Sequence, residues 1–404
     1  MKQILDQILP FERMTREPGH HFFGYYDLQP WSGDGRFHLC QRVAFMDRLQ
    51  TATDRAELGM VRMHDSQFIP LAATYAWNFQ QGTMLQWNPA KPSEEIIYNT
   101  LMNNAFHGVI KNINTGEIRI LSRPIAAVDS TGCWGLSINF SRLFDFRPGY
   151  GYAGIEDPFK NQAAPAEDGI FLVDLATGDS KLIVSLASLR QRFINEPPAA
   201  DKLMVNHITF NPDDSRFVFL LRNIPLSGGP LKNPCGGWKT ATLTANTDGS
   251  ELHTLMGFGM ASHYHWRDRE HLLIWAGNGD KNQPGLYLLH DCSQDAEPLF
   301  IDADYCDGHC SYSPDRNFIL YDGYHPPDCR RLQLYDLRKK AVITLATVYN
   351  GNHNHLASTD IRCDLHPRWN RDGTAVSFDS VHEGHRHVYW MDLKGIVTRN
   401  QGQT

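Results

Sequence analysis

His309-Cys-Ser-Tyr-Ser-Pro-Asp-Arg-Asn-Phe-Ile-Leu-Tyr321 contains the pattern that decides the fold of this chain. An apolar run is followed by a turn of Ser, Pro, Asp and Asn and then by a second apolar run, which is the pattern of a β-hairpin. The same pattern recurs from His207 to Leu220 and from His366 to Phe378. Hairpins that recur about every 40–50 residues are typical of β-propellers, whose blades have about four strands each. The sequence therefore predicts an all-β fold, a seven-bladed propeller with four-stranded antiparallel blades.

Further turn signals divide the chain into seven such units. Asn114-Thr-Gly116, Ala176-Thr-Gly178 and Thr247-Asp-Gly249 have the composition of tight hairpin turns. We expect one propeller domain over residues 1–404, because a ring cannot be divided without exposing strand edges. We also expect residues 4–11 to supply a strand that closes the last blade.

Composition limits the classes of partner. Of the 404 residues, 21% are charged and 11% are aromatic, which is ordinary for a folded protein. The net charge of −7 provides no general attraction for nucleic acid. No apolar run is long enough to cross a membrane, and the first ten residues lack the apolar segment of a signal peptide. We therefore expect a cytoplasmic monomer without nucleic-acid or membrane partners, or a periplasmic or secreted protein if a signal was removed.

Several histidines are predicted to meet at one end of the ring. In an up-and-down blade, the start of the first strand and the end of the second strand lie at the same face. Four histidines lie at or near the starts of first strands, one opens a third strand, and Arg222 lies near the end of a second strand; the histidines are His207, His263, His309, His366 and His107. Residues that are distant in sequence are thereby predicted to share one pocket.

One subset of these side chains suggests a metal site. His309, Cys329, Cys363 and His366 belong to adjacent blades and the same face, and two thiolates with two imidazoles suit Zn²⁺. Alternative ligands are His265, Cys306 and Asp364. Mn²⁺ or Ca²⁺ would be favoured if a carboxylate replaced the sulfur ligands. Buried free cysteines and hydrogen-bonded histidines are the alternative interpretation.

A second subset suits acid–base chemistry. His107, His207 and His263 are candidate bases or acids near neutral pH. The guanidinium of Arg222 could neutralise the carboxylate of a uronic acid, which would acidify its C5 proton and permit β-elimination at C4. The hydroxyls of three tyrosines could then protonate the leaving oxygen: Tyr150, Tyr152 and Tyr264. Alternatively, Arg222 forms a structural ion pair.

Longer phrases resemble a known family. Gly19-His-His-Phe-Phe-Gly-Tyr-Tyr-Asp27, Ser137-Ile-Asn-Phe-Ser-Arg142 and Asp364-Leu-His-Pro-Arg-Trp-Asn-Arg-Asp-Gly373 are similar to phrases of the seven-bladed propeller polysaccharide lyases, namely the oligogalacturonate and ulvan lyases. The resemblance covers most of the chain and implies a lyase acting on uronate-containing oligosaccharides with a divalent metal. It implies a catalytic histidine at His263 and metal ligands at His309 and His366. The residues that we expect to bind the substrate are His21, Asn88, Arg147, Lys239 and Tyr264.

Two departures from the family leave other functions open. Asn88 stands where the ulvan-type enzymes have a histidine, and Lys239 or a neighbour stands where the oligogalacturonate lyases have an arginine. A related group of propellers hydrolyses the rhamnose–glucuronate bond at the opposite face, where His38, Gln41 and Arg48 are candidates. A non-catalytic propeller that binds carbohydrate or protein is the third possibility. Two isolated acids are expected to cap turns or to pair with arginines: Asp27 and Glu383.

Overall fold

The hairpin pattern folds into seven antiparallel sheets, which are the blades of a propeller ring. The computed structural model describes residues 4–224, 239–278, 283–300, 307–324, 328–350 and 361–398. Over these residues the predicted fold class and the four-strand blade are confirmed.

The strands follow one another in chain order. The N-terminal strands are β1 (Ile4–Gln7) and β2 (Glu12–Arg13). Blades 1 and 2 contain β3 (His20–Phe22), β4 (Phe37–Val43), β5 (Ala56–Arg62), β6 (Phe68–Thr74), β7 (Gln86–Trp87), β8 (Glu95–Met102), β9 (Ala105–Asn112) and β10 (Ile118–Ile120). Blades 3 and 4 contain β11 (Ala127–Val128), β12 (Trp134–Ser137), β13 (Gly169–Asp174), β14 (Ser180–Ser185), β15 (Lys202–Phe210), β16 (Arg216–Ile224), β17 (Thr240–Asn246) and β18 (His253–Gly259). Blades 5, 6 and 7 contain β19 (Ala261–Trp266), β20 (His271–Asn278), β21 (Gln283–His290), β22 (Ala296–Phe300), β23 (Gly308–Tyr312), β24 (Phe318–Gly323), β25 (Cys329–Asp336), β26 (Ala341–Tyr349), β27 (Arg368–Trp369), β28 (Ala375–Ser380) and β29 (His387–Asp392).

Each blade packs on both of its faces, which explains why the inner strands are almost continuously apolar. On β16, Phe217 and Phe219 pack in one core cluster with residues of blade 3, whereas Val218 and Leu220 pack in another with residues of blade 5. Successive side chains of a strand point to opposite faces of the sheet, so one strand contributes to two cores. Burial of each such side chain contributes about 1.5–3 kcal/mol to the free energy of folding.

The N-terminal segment closes the ring differently from the prediction. Ile4–Gln7 pairs with β26 and adds a fifth strand to blade 6, not to the last blade. Glu12–Arg13 pairs with β29 and supplies the outermost strand of blade 7. The closing strand of the last blade therefore begins one residue beyond the predicted stretch. The chain passes from blade 6 to blade 7 before it enters blade 1, and so links three blades.

The chain leaves blade 1 after Phe22 and crosses the centre of the ring. The sequence pattern predicts a strand that continues to Tyr26, but β3 ends at Phe22. At Gly24, φ is +139° and an added Cβ would lie 2.8 Å from the carbonyl oxygen of Gln81, so the departure requires glycine. We call residues 24–29 the axial segment. Its two tyrosines, Tyr25 and Tyr26, contact side chains of blades 4, 5, 6 and 7.

The long insertion of blade 3 is firmly anchored. It contains helix α1 (Phe140–Phe146), which Asn139 caps by accepting a hydrogen bond from the backbone nitrogen of Arg142. The buried Arg142 guanidinium pairs with Asp157 at 2.9 Å and donates to four backbone carbonyl groups. Two further helices are α2 (Leu186–Arg192) and α3 (Lys394–Val397). Among the described residues, the helices are all too short and too polar to cross a membrane.

Candidate functional site

Four histidines from consecutive blades surround the axial segment. We call His207, His263, His309 and His366 the histidine cluster, and all four are buried. The ring centroids of His263 and His309 are 4.0 Å apart, and those of His309 and His366 are 4.2 Å apart. His207 lies on the other side of the two axial tyrosines, 4.8 Å from the ring of Tyr25. The structure thus brings together the four histidines that the sequence places at or near first strands, although His207 lies within β15 and not at its start.

Carboxylates hold three of these imidazoles. His207 Nε2 is 2.6 Å from Asp27 Oδ2, and His263 Nδ1 is 2.8 Å from Asp307 Oδ1. His309 Nδ1 is 2.9 Å from Asp322 Oδ1. A carboxylate that accepts from one imidazole nitrogen fixes the tautomer and leaves the other nitrogen as the base or the metal ligand.

His263 has the geometry of a general base. Asp307 accepts its Nδ1–H, and no described residue bonds to its Nε2. The His263 side chain retains 8% of its exposure and Asp307 retains 34%, so the pair lies at the edge of the cluster. Burial lowers the pKa of His263, and Asp307 partly offsets this effect, so the ring is neutral at pH 7 and can accept a proton.

His207 is more deeply enclosed than His263. It stacks on the ring of Tyr264 with centroids 4.1 Å apart, and its Nδ1 is buried without a partner among the described residues. Burial lowers its pKa, while the charge of Asp27 acts in the opposite direction. Tyr264 itself is 1% exposed, and both its backbone nitrogen and its carbonyl oxygen bond to the hydroxyl of Tyr26. Tyr264 therefore contacts His207 and the axial segment.

Two arginines add positive charge beside the cluster. The Arg147 guanidinium lies over the ring of Tyr150, 4.1 Å from its centroid. Burial and the neighbouring Arg147 lower the pKa of Arg222 to about 10, and the charge of Asp307 opposes this shift. Arg222 still carries its charge at pH 7. Because this charge is buried, an incoming anion would interact with it more strongly than with an arginine exposed to water.

A group of possible metal ligands lies next to His263. One ligand atom from each of His309, Asp364 and His366 can be chosen so that all lie within 4.8 Å of one another, and this is the only such group found among the described residues. The Nε2 of His366 is buried without a hydrogen-bond partner in the same part of the chain. Asp364 accepts from Arg330 at 3.0 Å and lies 2.9 Å from the Nε of Arg362.

The two predicted cysteine ligands fall outside this group. Cys329 opens β25, and Cys363 is buried with its Sγ 3.8 Å from the carbonyl oxygen of Asp364. Burial raises the pKa of both thiols, to about 12 for Cys363, which disfavours the thiolate that a metal requires. Of the alternative ligands, His265 lies toward the other end of the ring, and Cys306 is outside the described residues. The structure therefore groups the two histidines with a carboxylate and not with sulfur.

Other predicted site residues lie away from the cluster. His107 is on the third strand of blade 2 and bonds the carbonyl oxygen of Leu121 at 2.9 Å. His21 is fully buried and stacks on His387 with centroids 5.8 Å apart. A strand that is distant from the axis cannot place its side chains at the centre, which is why His107 is separated from the other histidines.

Asn88 and Lys239 are likewise occupied in local contacts. Asn88 follows the first strand of blade 2, at the face opposite the cluster, and bonds Glu95 at 2.8 Å. Lys239 is exposed and its amine pairs with Glu196. The insertion between Arg222 and Lys239 is described only as far as residue 224, so its Trp and Gly residues lie outside the described residues.

The residues that suggested hydrolysis have structural contacts. Gln41 donates to the carbonyl oxygen of Phe23 and accepts from the backbone nitrogen of Thr83. His38 bonds Ser377, and Arg48 pairs with Asp54. The Gln41 contacts hold the chain next to the axial segment, the His38 contact joins two blades, and the Arg48 pair holds a surface loop.

The sequence predicts that Asp27 and Glu383 cap turns or pair with arginines. Glu383 does pair with Arg13, at 3.2 Å. Asp27, in contrast, bonds the imidazole of His207. The prediction for Asp27 was wrong, because the axial segment carries its carboxylate across the ring to blade 4.

Sequence reasoning also missed Tyr324. Its hydroxyl lies 3.5 Å from both ring nitrogens of His309, and its ring is 6.2 Å from that of His263. Burial raises its pKa well above the usual value, so the hydroxyl is protonated at neutral pH. Tyr324 follows the end of a second strand, β24. Arg222 was selected because the end of a second strand lies at the same face as the histidines, and the same argument selects Tyr324.

Solved structures share this fold. No protein-family model and no curated protein matches the sequence. Oligogalacturonate lyase from Vibrio parahaemolyticus is 14% identical with a TM-score of 0.65, and the match covers 96% of this chain and 95% of that one. An oligogalacturonate lyase in complex with manganese is 14% identical with a TM-score of 0.66, covering 97% and 95%. The tricorn protease matches over 92% of this chain but 34% of its own, at 12% identity and a TM-score of 0.49. At 14% identity, the similarity to the two oligogalacturonate lyase structures concerns the fold alone.

Proposed function

We propose that this protein is a lyase that cleaves uronate-containing oligosaccharides by β-elimination at the histidine cluster. The observation that carries the proposal is the proximity of a buried guanidinium, Arg222, to the Asp307–His263 pair. β-Elimination requires a cation for the carboxylate and a neutral base for the C5 proton, and these two groups meet that requirement. The fold shared with oligogalacturonate lyases over nearly the whole chain supports the same substrate class.

Charge neutralisation is the role of Arg222, with Arg147 beside it. When the C5 proton leaves, negative charge develops on the carboxylate oxygens of the sugar. A guanidinium that is already positioned and shielded from water stabilises this charge without reorganising. The Arg147 guanidinium beside it adds a second positive charge.

Proton abstraction is the role of His263. Its Nε2 takes the C5 proton, the C5–H electron pair forms the C4–C5 double bond, and the C4–O bond breaks. Asp307 stabilises the imidazolium that forms, as the aspartate of a catalytic triad does. His207, held by Asp27 and stacked on Tyr264, supports the axial tyrosines below this base.

The leaving oxygen needs a proton donor. Tyr150 is 1% exposed beneath Arg147, whereas Tyr324 is only partly buried and is nearer to His263. We therefore assign the donor to Tyr324 and a supporting position to Tyr150. We assign no role to His107, His21, Asn88 or Lys239, because their contacts lie elsewhere.

A divalent cation suits the group formed by His309, Asp364 and His366. The Nε2 of His366 is a buried acceptor without a protein partner, and Asp322 holds His309 by Nδ1, which leaves Nε2 for a metal. Two imidazoles and a carboxylate are ligands that Mn²⁺ and Zn²⁺ both accept. When bound, the cation would supply further positive charge beside the sugar carboxylate.

Ultraviolet absorbance of the products tests the proposal. The unsaturated uronate has a C4–C5 double bond conjugated with its carboxylate, so elimination produces absorbance that the substrate lacks. We expect this signal with at least one of a panel of galacturonate and glucuronate oligosaccharides in the presence of Mn²⁺ or Zn²⁺. The substitutions His263→Ala and Arg222→Ala should each lower the rate by about 10²-fold or more.

Matched variants and product masses give the contrary outcomes. His253→Ala, in the outer strand of blade 4, should retain the wild-type rate. Products heavier by one water and without the new absorbance would indicate hydrolysis instead. Wild-type rates for both His263→Ala and Arg222→Ala would remove these residues from the mechanism.

A further inference from the structure

Two further histidines lie side by side on blade 5. His271 begins β20 and His290 ends β21, and the two residues are direct partners in the antiparallel sheet. Residues in this relation carry their Cβ atoms about 4.5–5.5 Å apart on one face of the sheet. The ring centroids are 4.8 Å apart, and the planes of the two rings meet at 86°. Strand pairing therefore holds these two imidazoles together at the rim of the blade.

A carboxylate fixes the tautomer of His271. Its Nδ1 is 2.8 Å from Oδ1 of Asp268. Burial alone would raise the pKa of Asp268, but hydrogen bonds from Arg267 and His271 outweigh burial and hold this pKa well below its usual value. The carboxylate is therefore ionised at neutral pH and can only accept, so the proton of this hydrogen bond belongs to Nδ1 of His271. In the neutral ring, the lone pair is then on Nε2.

A backbone carbonyl group fixes the tautomer of His290 in the same way. Its Nδ1 is 2.9 Å from the carbonyl oxygen of Asp291. A carbonyl oxygen can only accept, so Nδ1 again carries the proton and Nε2 carries the lone pair. No described residue is hydrogen-bonded to the Nε2 of either ring. The pair thus offers two imidazole nitrogens with free lone pairs, and each ring is oriented by the hydrogen bond of its other nitrogen.

Both rings can be reached from the solvent. The side chain of His271 retains 26% of its exposure, and His290 is partly exposed. Neutral imidazole nitrogen is a good ligand for the later first-row transition metals, among which Ni²⁺ and Cu²⁺ bind more tightly than Mn²⁺. Histidines that ligate metals almost always donate their other ring N–H to a carboxylate, a backbone carbonyl or water, as both of these residues do. The pair therefore suits a transition-metal ion.

This pair is separate from the histidine cluster. His263 lies near the start of β19, and His271 lies at the start of β20. These strands are antiparallel, so the two histidines are at opposite ends of blade 5. An ion held by the pair would therefore share no ligand with the group formed by His309, Asp364 and His366.

We propose that His271 and His290 form a second metal site, at the rim of blade 5, for a transition-metal ion such as Ni²⁺ or Cu²⁺. The ion is held by both Nε2 atoms, and water fills its remaining coordination positions. It links β20 to β21 and stabilises the folded chain, because the unfolded chain does not hold the two rings together. The site requires neither the metal of the histidine cluster nor the proposed lyase activity.

Calorimetric titration with Ni²⁺ tests this site. His271→Ala and His290→Ala should each lower the affinity of one Ni²⁺ site of the wild-type protein by about 10-fold or more, since the remaining imidazole binds alone. His366→Ala should retain this site, because His366 belongs to the other metal group. His64→Ala is the matched control, because it removes a histidine whose side chain is 74% exposed in a turn of blade 1.

Thermal unfolding provides a second measurement. Ni²⁺ should raise the melting temperature of the wild-type protein and of His64→Ala by equal amounts, and it should raise that of His271→Ala/His290→Ala by less. Three outcomes would overturn the proposal: wild-type Ni²⁺ affinity in both single variants, an equal loss of affinity in His64→Ala, and an equal rise in melting temperature in the double variant and the wild type.

Discussion

Asp27 Oδ2 lies 2.6 Å from Nε2 of His207, and this bond joins the axial segment of blade 1 to the innermost strand of blade 4. The two residues are 180 positions apart in the chain. The bond fixes both the tautomer of His207 and the course of the axial segment through the ring. Asp27 also lines a cavity of about 360 Å³ that His265, Tyr312 and Trp369 help to form.

Asp27→Asn should change the titration of His207. The Asp27 charge raises the pKa of His207 against the effect of burial, so its removal should lower that pKa further. Histidine-selective NMR titration measures this directly. We also expect the rate of uronate elimination to fall about 10-fold, because the support of the axial tyrosines is lost. Asp34→Asn, in an exposed turn of the same blade, is the control; an unaltered His207 titration in Asp27→Asn would contradict the assignment.

Metal content should distinguish the two ligand sets. If His309, Asp364 and His366 hold the cation, then His366→Ala should lose most of the bound Mn²⁺ or Zn²⁺, while Cys329→Ser and Cys363→Ser should retain it. Mass spectrometry of metal bound after gel filtration provides the measurement. Loss of metal in the cysteine variants, with His366→Ala unaffected, would restore the ligand set that the sequence suggested.

Tyr26→Phe should destabilise the fold. The Tyr26 hydroxyl donates to the carbonyl oxygen of Tyr264 at 2.6 Å and accepts from its backbone nitrogen at 2.9 Å. Phenylalanine would leave both buried backbone groups without a partner, at a cost of about 1–3 kcal/mol. Urea unfolding measures the difference. Tyr75→Phe is the control because Tyr75 is 42% exposed; equal stability of the two variants would show that water replaces the lost hydroxyl.

His21→Phe should weaken the acid sensitivity of the fold. Burial, with a smaller effect of His387, lowers the pKa of His21 to about 3, whereas the unfolded chain titrates near 6.5. The unfolded state therefore binds the proton first, and stability falls by about 1.4 kcal/mol per pH unit as pH drops from 6.5 toward 3. Phenylalanine removes this contribution.

Thermal unfolding between pH 7 and pH 4 measures this effect. The melting temperature of His21→Phe should fall less steeply with decreasing pH than that of the wild type. His64→Phe, at a ring whose side chain is 74% exposed, should keep the wild-type slope. Parallel curves for wild type and His21→Phe would mean that His21 finds a proton acceptor in the folded state.

Local patterns were sufficient for the blades. Short apolar runs and turn residues such as those of 313–317 are short-range signals, and the sheets form where these signals place them. The same reasoning placed His207, His263, His309 and His366 on first strands, because a strand start is a position that a sequence can reveal. It could not show that β3 ends at Phe22, since Tyr25 and Tyr26 continue the aromatic pattern of the strand before them.

The sequence by itself determined the seven-bladed ring and the end of the ring at which the histidines gather, because both follow from the order of strands and turns. Only the tertiary structure decided which side chains meet there. Asp27 reaches His207, Asp307 reaches His263, and Asp364 rather than a cysteine accompanies His309 and His366. These contacts join separate blades and depend on the path of the axial segment and on side-chain directions, neither of which has a periodic signal along the chain.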